Sequence, residues 1–278
     1  MTELLSKRET EALLLVACYR FLSLGQLEEF ILGGSQTTEL SRQVITRRIV
    51  QRLRTRGLLA ATRRLVGGPG GGSTRMAYYL SPSGLKLAAS LEPGLPPKEP
   101  RAGTFLMQHA LATADVALAF RRAARTNAGH ELLQWECDWQ AAQKLRRSAV
   151  VPDARLVYAT ADYEVDAFLE IDLGSEGTRF FGGKIFRYLE LFRSGEWRDQ
   201  LALWPVVLTV APSESRAAAV ARSTETVLGV QPDRDRLLAQ TEFAFAALPA
   251  VVSDPLAIVW RIAGRDGTYA LLDGRHLE

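Results

Sequence analysis

The sequence lacks the long apolar runs of a membrane protein. Its longest apolar stretches, such as residues 13–17 and 201–210, are far shorter than the roughly 20 residues that a membrane-spanning helix needs. The first ten residues have no apolar stretch behind a basic lead, so they do not resemble a secretory signal. We therefore expect no membrane span and a cytoplasmic location.

The ligand patterns of common metal and nucleotide sites are also missing. Cys18 and Cys137 have no CxxC companion, and the three histidines show no HExxH spacing, which excludes the usual zinc motifs. The glycine-rich residues 66–73 lack the GK[ST] ending of a phosphate-binding loop. A composition of 47% hydrophobic and 23% charged residues excludes disorder, and 278 residues favour two domains.

Positive charge is concentrated in the first third of the chain. Residues 1–90 carry 13 Lys and Arg against 6 Glu, a net charge of +7, whereas residues 104–278 carry 19 basic and 23 acidic side chains, a net charge of −4. Between them, residues 91–103 read LEPGLPPKEPRAG, and the four prolines forbid a continuous helix. We predict a first domain over residues 1–91, a proline-rich linker over 92–103 and a second domain over 104–278.

The pattern of the first domain is typical of a winged helix-turn-helix. Helices are predicted over residues 7–21, 24–32 and from 38 or 41 to 56, and two strands, 58–66 and 75–80, flank a glycine-rich tip. A short helix over 81–91 closes the domain. In winged helices the third helix enters the major groove and the wing lies along the backbone. Together with the positive charge, this order predicts double-stranded DNA as a partner.

The candidate DNA contacts lie on the third helix and on the wing. Arginine pairs bidentately with guanine and glutamine with adenine, and both types recur along one stripe of the third helix. The alternative is a solvated arginine-rich face on a domain that only dimerises. The candidate residues are Arg42, Gln43, Arg47, Arg48, Gln51, Arg52, Arg54, Arg63, Arg64 and Arg75.

The second domain alternates helices and strands. Helices are predicted over residues 108–125, 178–193 and 215–227, and strands over 131–139, 153–159, 163–172, 204–210 and 243–252. This order predicts a mixed β-sheet with flanking helices, which is an α+β or α/β fold.

Acidic residues mark two strand ends of this sheet. Asp153 opens one strand, and Glu170 and Asp172 close the next, where they point to the same face. Clustered carboxylates require a neutralising cation, and their oxygens suit Mg²⁺. Asp153, Glu170 and Asp172 are therefore candidate metal ligands, and Asp153, Glu170 and Lys184 are candidate catalytic residues. The alternative is that the acidic residues only mark the ends of the strands and that Lys184 extends to solvent.

Several short motifs together resemble the plasmid replication-relaxation family. They are a winged helix, a proline-rich joint, HALATADV from His109, VPDA over residues 151–154, FLEIDLGSE over 168–176 and KIFRY from Lys184. Members of the family are DNA-binding proteins of plasmids and mobile elements that act in replication or relaxation. The resemblance implies a DNA-associated bacterial protein, with other replication or relaxation proteins as partners.

The second domain also resembles the PD-(D/E)XK fold of restriction endonucleases. In that fold an Asp and a Glu on neighbouring strands hold Mg²⁺ and a Lys steadies the attacking water. Asp153 and Glu170 match the acids, but the position of the motif's lysine holds Asp172, and Lys184 is a candidate substitute. Three functions stay open: a DNA-binding protein with a degenerate nuclease-like domain, a Mg²⁺-dependent endonuclease or nickase, and a homodimeric winged-helix repressor.

Overall fold

The computed structural model describes residues 4–62, 76–96, 103–145, 150–174 and 177–272. The chain divides into two compact units, a first unit of residues 1–118 and a second unit of residues 119–278. The division falls later than the predicted start of the second domain at residue 104. Met107 and Ala110 pack against Phe21 and Ala77 of the first unit, which explains the difference. Residues 97–102 of the predicted linker lie outside the described residues.

The described residues form α-helices at ten places and one 3₁₀ helix, Glu196–Asp199. The α-helices are α1 (Lys7–Tyr19), α2 (Leu24–Leu32), α3 (Glu39–Thr55), α4 (Pro82–Leu91), α5 (Thr104–Thr126), α6 (Asp138–Lys144), α7 (Thr178–Ser194), α8 (Glu214–Gly229), α9 (Arg234–Gln240) and α10 (Leu248–Ser253).

The strands form one small and one larger sheet. They are β1 (Leu22–Ser23), β2 (Leu59–Ala61), β3 (Ala77–Leu80), β4 (Glu131–Cys137), β5 (Ala154–Ala159), β6 (Glu164–Ile171), β7 (Val206–Ala211), β8 (Phe243–Ala247) and β9 (Arg261–Ile262). The small sheet has the order β1-β3-β2, and the larger has the order β4-β5-β6-β7-β8-β9.

Capping side chains fix where the first helices begin. Ser6 and Glu9 form a reciprocal capping box at the start of α1, and Ser23 and Gln26 form another at α2. Each box satisfies backbone N–H groups that have no partner inside the helix. Thr38 caps α3 by accepting a hydrogen bond from the Ser41 N–H. The four helices predicted over residues 1–91 are confirmed, and their ends agree with the prediction to within two residues.

The small sheet is antiparallel throughout, and it combines β1, which precedes α2, with β2 and β3, which follow α3. Leu59 pairs with Leu80 and Leu22 with Tyr78. Helix α4 lies so close to this sheet that a Cβ on Gly84 would stand 2.0 Å from the carbonyl oxygen of Leu58. Residues 63–75, which include the predicted wing tip, lie outside the described residues.

The larger sheet is mixed, as predicted. Strand β5 pairs antiparallel with both β4 and β6. Strand β7 pairs parallel with both β6 and β8, and β9 pairs antiparallel with β8. The parallel pairs need crossover connections, which α7 and α8 provide. The predicted α+β class is confirmed by this sheet and its helices.

Apolar residues of α7 and α8 cover one face of the larger sheet. Phe168 of β6 shares a buried cluster with Ile185 of α7 and Val220 of α8. Tyr158 of β5 lies on the opposite face, because side chains alternate along a strand, and its ring lies 5.8 Å from that of Phe120 in α5. Both faces of the central strands are therefore buried.

Two predicted strands extend into residues that form helices. The strand predicted over residues 243–252 ends at Ala247, and α10 follows with Pro249 in its first turn, where proline needs no N–H partner. The strand predicted over 131–139 ends at Cys137, and α6 follows. None of the helices in the described ranges has the length and hydropathy to cross a bilayer.

Candidate functional site

A groove lies along α3 in the first unit, between buried Val50 and the arginines of the outer face of the helix. Its volume is about 490 Å³. Apolar side chains of neighbouring elements and four arginines share its lining. The lining residues are Leu24, Arg47, Arg48, Val50, Gln51, Arg52, Arg54 and Tyr78.

The inner face of α3 explains why this outer face is presented to solvent. Ile49, Val50 and Leu53 are buried and anchor the helix in the first unit. With 3.6 residues per turn, residues on the opposite side of the helix must point outward. Arg47 and Gln51 do so, and both are exposed.

Four predicted DNA-contacting side chains on α3 are free. Arg47, Arg48, Gln51 and Arg54 are exposed. In the described ranges, their side chains take part in no hydrogen bond or ion pair. Three guanidinium groups and one amide on one helix are therefore available to an external partner.

The other predicted contacts on α3 are engaged within the protein. Arg42 lies 3.6 Å from the Glu28 carboxylate and donates to the Thr37 carbonyl at 3.2 Å. Gln43 donates to Glu39 at 3.3 Å. Arg52, which is 70% exposed, lies 3.8 Å from the carboxylate of Glu9. The wing candidates, Arg63, Arg64 and Arg75, lie outside the described residues.

Glu170 is the centre of a second site, in the second unit. Its side chain is 1% exposed although it ends in a carboxylate. Lys184 of α7 donates to one carboxylate oxygen of Glu170, and the Tyr188 hydroxyl donates to the other at 2.5 Å. Two candidate catalytic residues, Glu170 and Lys184, are thus brought together as an ion pair in which the carboxylate is buried and the lysine side chain is 23% exposed.

Burial sets the protonation behaviour of this site. The pKa of Glu170 is raised to about 7, chiefly by burial and also by the Asp153 charge, while Lys184 and Tyr188 oppose the shift. Burial lowers the pKa of Lys184, but the attraction of Glu170 and Asp153 outweighs it, so the net shift is upward. Burial also raises the pKa of Tyr188 well above its usual value. Glu170 therefore titrates near neutral pH beside a lysine that stays charged.

Asp153 and Asp172 are held differently from each other. The Ile171 N–H donates to Asp153 at 2.8 Å, which ties the start of β5 to the end of β6. Arg216 of α8 donates to both carboxylate oxygens of Asp172, at 2.8 and 3.2 Å. Asp153 acts electrostatically on Glu170, whereas Asp172 forms a separate ion pair.

Three residues of this site did not figure in the sequence-based candidates. Tyr188 follows Lys184 by four residues, a spacing that places both on one helix face, and this signal was available in the sequence. Arg216 lies in the first turn of α8, and only the sheet order brings it to Asp172. Thr209 is fully buried beside Glu170 in the register of β6 and β7, and its hydroxyl has no hydrogen-bond partner among the described residues.

The acidic residues offer a limited set of oxygen ligands for Mg²⁺. Among the described residues, no group of three or more His, Cys, Asp or Glu side chains is arranged to hold a metal ion. Both oxygens of Glu170 accept hydrogen bonds from Lys184 and Tyr188, and both oxygens of Asp172 accept from Arg216. Asp153 and Glu170 are the pair that would hold the ion, and metal binding stays a prediction.

The fold and the two sites define a two-unit α+β protein that carries an exposed arginine face on one unit and a buried carboxylate–lysine pair in the other. The chain belongs to the replication-relaxation family, whose model matches residues 13–207. Membership suggests a role in plasmid replication or relaxation. No curated protein and no solved structure shows significant similarity to the chain.

Proposed function

We propose that this protein binds duplex DNA through the outer face of α3 and acts in the replication or relaxation of plasmid or mobile-element DNA. The observation that carries the proposal is the set of exposed side chains Arg47, Arg48, Gln51 and Arg54 on one helix, none of which has a hydrogen-bond or ion-pair partner among the described residues. Cations without internal partners attract a polyanion at little cost, because no existing ion pair has to break.

The order of elements in the first unit supports the same proposal. Helices α1, α2 and α3 precede the antiparallel strands β2 and β3, which is the order of a winged helix. We infer that α3 is the recognition helix. In this arrangement Arg47 and Gln51 face base edges, and Arg54 faces the phosphates.

Removing two arginines tests the proposal. We expect the Arg47→Ala and Arg54→Ala double variant to bind random-sequence duplex DNA more weakly in fluorescence anisotropy. The slope of log affinity against log salt should fall by about one, because Arg54 is the member of the pair that faces the phosphates and each phosphate contact releases about one counterion.

A matched control removes the same charge elsewhere. Arg222 and Arg234 are exposed on α8 and α9, so the Arg222→Ala and Arg234→Ala double variant loses two positive charges in the second unit. It should bind DNA with nearly the affinity and salt slope of the wild type. Equal affinities and salt slopes for the two double variants would show that α3 does not contact the DNA.

A second candidate function is Mg²⁺-dependent cleavage of DNA in the second unit. The proximity of Glu170, Lys184 and Asp153 favours it, since these are the three residues expected to act together. A bound Mg²⁺ would supply charge stabilisation for phosphoryl transfer. Asp153 and Glu170 would hold the ion, and Lys184 would hold a proton or a phosphate oxygen.

Supercoiled plasmid distinguishes the two functions. If the second candidate is right, Mg²⁺ or Mn²⁺ yields nicked or linear plasmid with the wild type and not with Glu170→Gln, and calorimetry shows metal binding that the variant loses. Intact plasmid with every divalent ion, together with DNA binding, leaves the second unit without this activity.

A further inference from the structure

The outer face of α3 has two chemically different halves. Its second half carries the free side chains of Arg47, Gln51 and Arg54, whereas its first turns expose two apolar residues. Leu40 is 73% exposed and Val44 is 37% exposed. Steps of four, three and four residues place Leu40, Val44, Arg47 and Gln51 on one helix face. The apolar pair therefore continues the same surface as the arginines.

Polar side chains beside the apolar pair are already engaged. Arg42 is held by Glu28 and Thr37, and Gln43 donates to Glu39. Neither has to leave its partner for the first half of α3 to meet a ligand through its apolar surface. What this half offers to a ligand is thus chiefly hydrocarbon.

The charge beside this hydrocarbon favours one occupant. A protein partner that covered Leu40 and Val44 would also have to desolvate or neutralise Arg47, which lies one turn away and has no internal partner among the described residues. Duplex DNA supplies negative charge and an apolar group together. The apolar group on the major-groove edge is the C5-methyl of thymine.

We propose that Leu40 and Val44 contact thymine methyl groups, so that the preferred DNA contains thymine beside the base pairs faced by Arg47 and Gln51. This inference rests on the proposed function, since it requires α3 to lie in the major groove. The N-terminal residues of a recognition helix contact base edges, and Leu40 and Val44 lie in that part of α3. Val44 precedes Arg47 by about 4.5 Å along the helix axis, roughly one base-pair step.

Deoxyuridine provides the test because it differs from thymidine only by the missing methyl. Duplexes would first be selected from a random library, and the best would then be prepared with deoxyuridine in place of thymidine at each position in turn. We expect the wild type to bind about fourfold more weakly for each contacted methyl removed, the value of one buried methyl group. One or two positions should respond, and the others should not.

Variants on α3 connect this effect to the residues. The Leu40→Ala and Val44→Ala double variant should bind the thymidine and deoxyuridine duplexes with equal affinity. Arg47→Ala should weaken binding to both duplexes while keeping the difference between them. Leu40 and Val44 are exposed, so circular dichroism should show an unchanged fold for the double variant.

The outcomes separate this inference from the function on which it rests. A wild-type protein that binds no duplex at low salt overturns the proposed function. Binding with equal affinity for thymidine and deoxyuridine at every position overturns only the thymine inference. A Leu40→Ala and Val44→Ala variant that keeps the methyl preference but loses self-association would likewise overturn it and assign the apolar pair to a second copy of the chain.

Discussion

The α3 face and the Glu170 site hold their charges in opposite ways. On α3, the side chains of Arg47 and Arg54 are exposed, and neither has a partner among the described residues. In the second unit, Glu170 is buried and both of its oxygens accept hydrogen bonds from side chains. An exposed cation costs little to keep without a partner, whereas a buried carboxylate must be neutralised. The first arrangement is open to an external ligand, and the second is already complete.

The strongest test of the completed site is to remove its counter-ion. Lys184→Met keeps most of the side-chain volume but leaves Glu170 buried without a cation. We expect a loss of about 3 kcal/mol in the free energy of unfolding at pH 8, because one member of a buried ion pair is left uncompensated. Urea denaturation would measure it, with the exposed Arg222→Ala as the control.

The loss from Lys184→Met should shrink at pH 5, where a protonated Glu170 needs no counter-ion. An equal loss at both pH values, or a loss no larger than that of Arg222→Ala, would mean that the ion pair does not balance the buried charge.

The pH dependence of stability should report on the same carboxyl. Because burial raises the pKa of Glu170 from 4.5 to about 7, the folded protein binds the proton more tightly than the unfolded chain. The stabilisation is complete below pH 4.5 and is lost as the pH rises through 7, a decrease on the order of 3 kcal/mol. In a chelating buffer, Glu170→Gln should lack this decrease. Parallel pH profiles for wild type and variant would assign the titration to another group.

The unpartnered hydroxyl beside Glu170 gives a smaller test. Thr209 is fully buried, and its hydroxyl has no partner among the described residues. Thr209→Val keeps the shape and removes the unsatisfied group, so we expect about 1 kcal/mol of added stability with an unchanged urea m-value. A destabilised variant would show that the hydroxyl has a partner, such as bound water.

The smallest effects should separate free from engaged arginines within α3. Arg54→Ala should lower the affinity for duplex DNA about fivefold, the low end for a charged DNA contact. Arg42→Ala should lower the DNA affinity less than twofold, since Arg42 already pairs with Glu28 and donates a hydrogen bond to Thr37. Anisotropy titrations at one salt concentration would compare them. Equal losses would mean that Arg42 leaves its partners to meet DNA.

Local patterns predicted most of the elements. The boundary of α2, Leu24–Leu32, follows from its cap and its apolar spacing. Short elements such as β1, α9 and β9 were not predicted, because a stretch of two to seven residues carries too little periodicity to be recognised. The error after Ala247 arose because an apolar run does not by itself distinguish a buried strand from a buried helix.

The candidate sites were predictable to a different extent. The exposed face of α3 follows from helical spacing alone, and so does the position of Gln51 on that face. What spacing could not give is which arginines are occupied, since Arg42 meets Glu28 only through the packing of α2 against α3. Likewise, the pairing of Asp172 with Arg216 depends on how β6 and α8 are placed by the sheet.

The Asp172–Arg216 pair limits how this molecule can change. A single exchange of Asp172 for lysine would place two cations where Arg216 now bridges both oxygens of one anion, and the arginine would lose its counter-charge. A basic residue at position 172 should therefore be tolerated better when Arg216 is replaced as well. Substitutions at positions 172 and 216 are therefore expected to depend on each other.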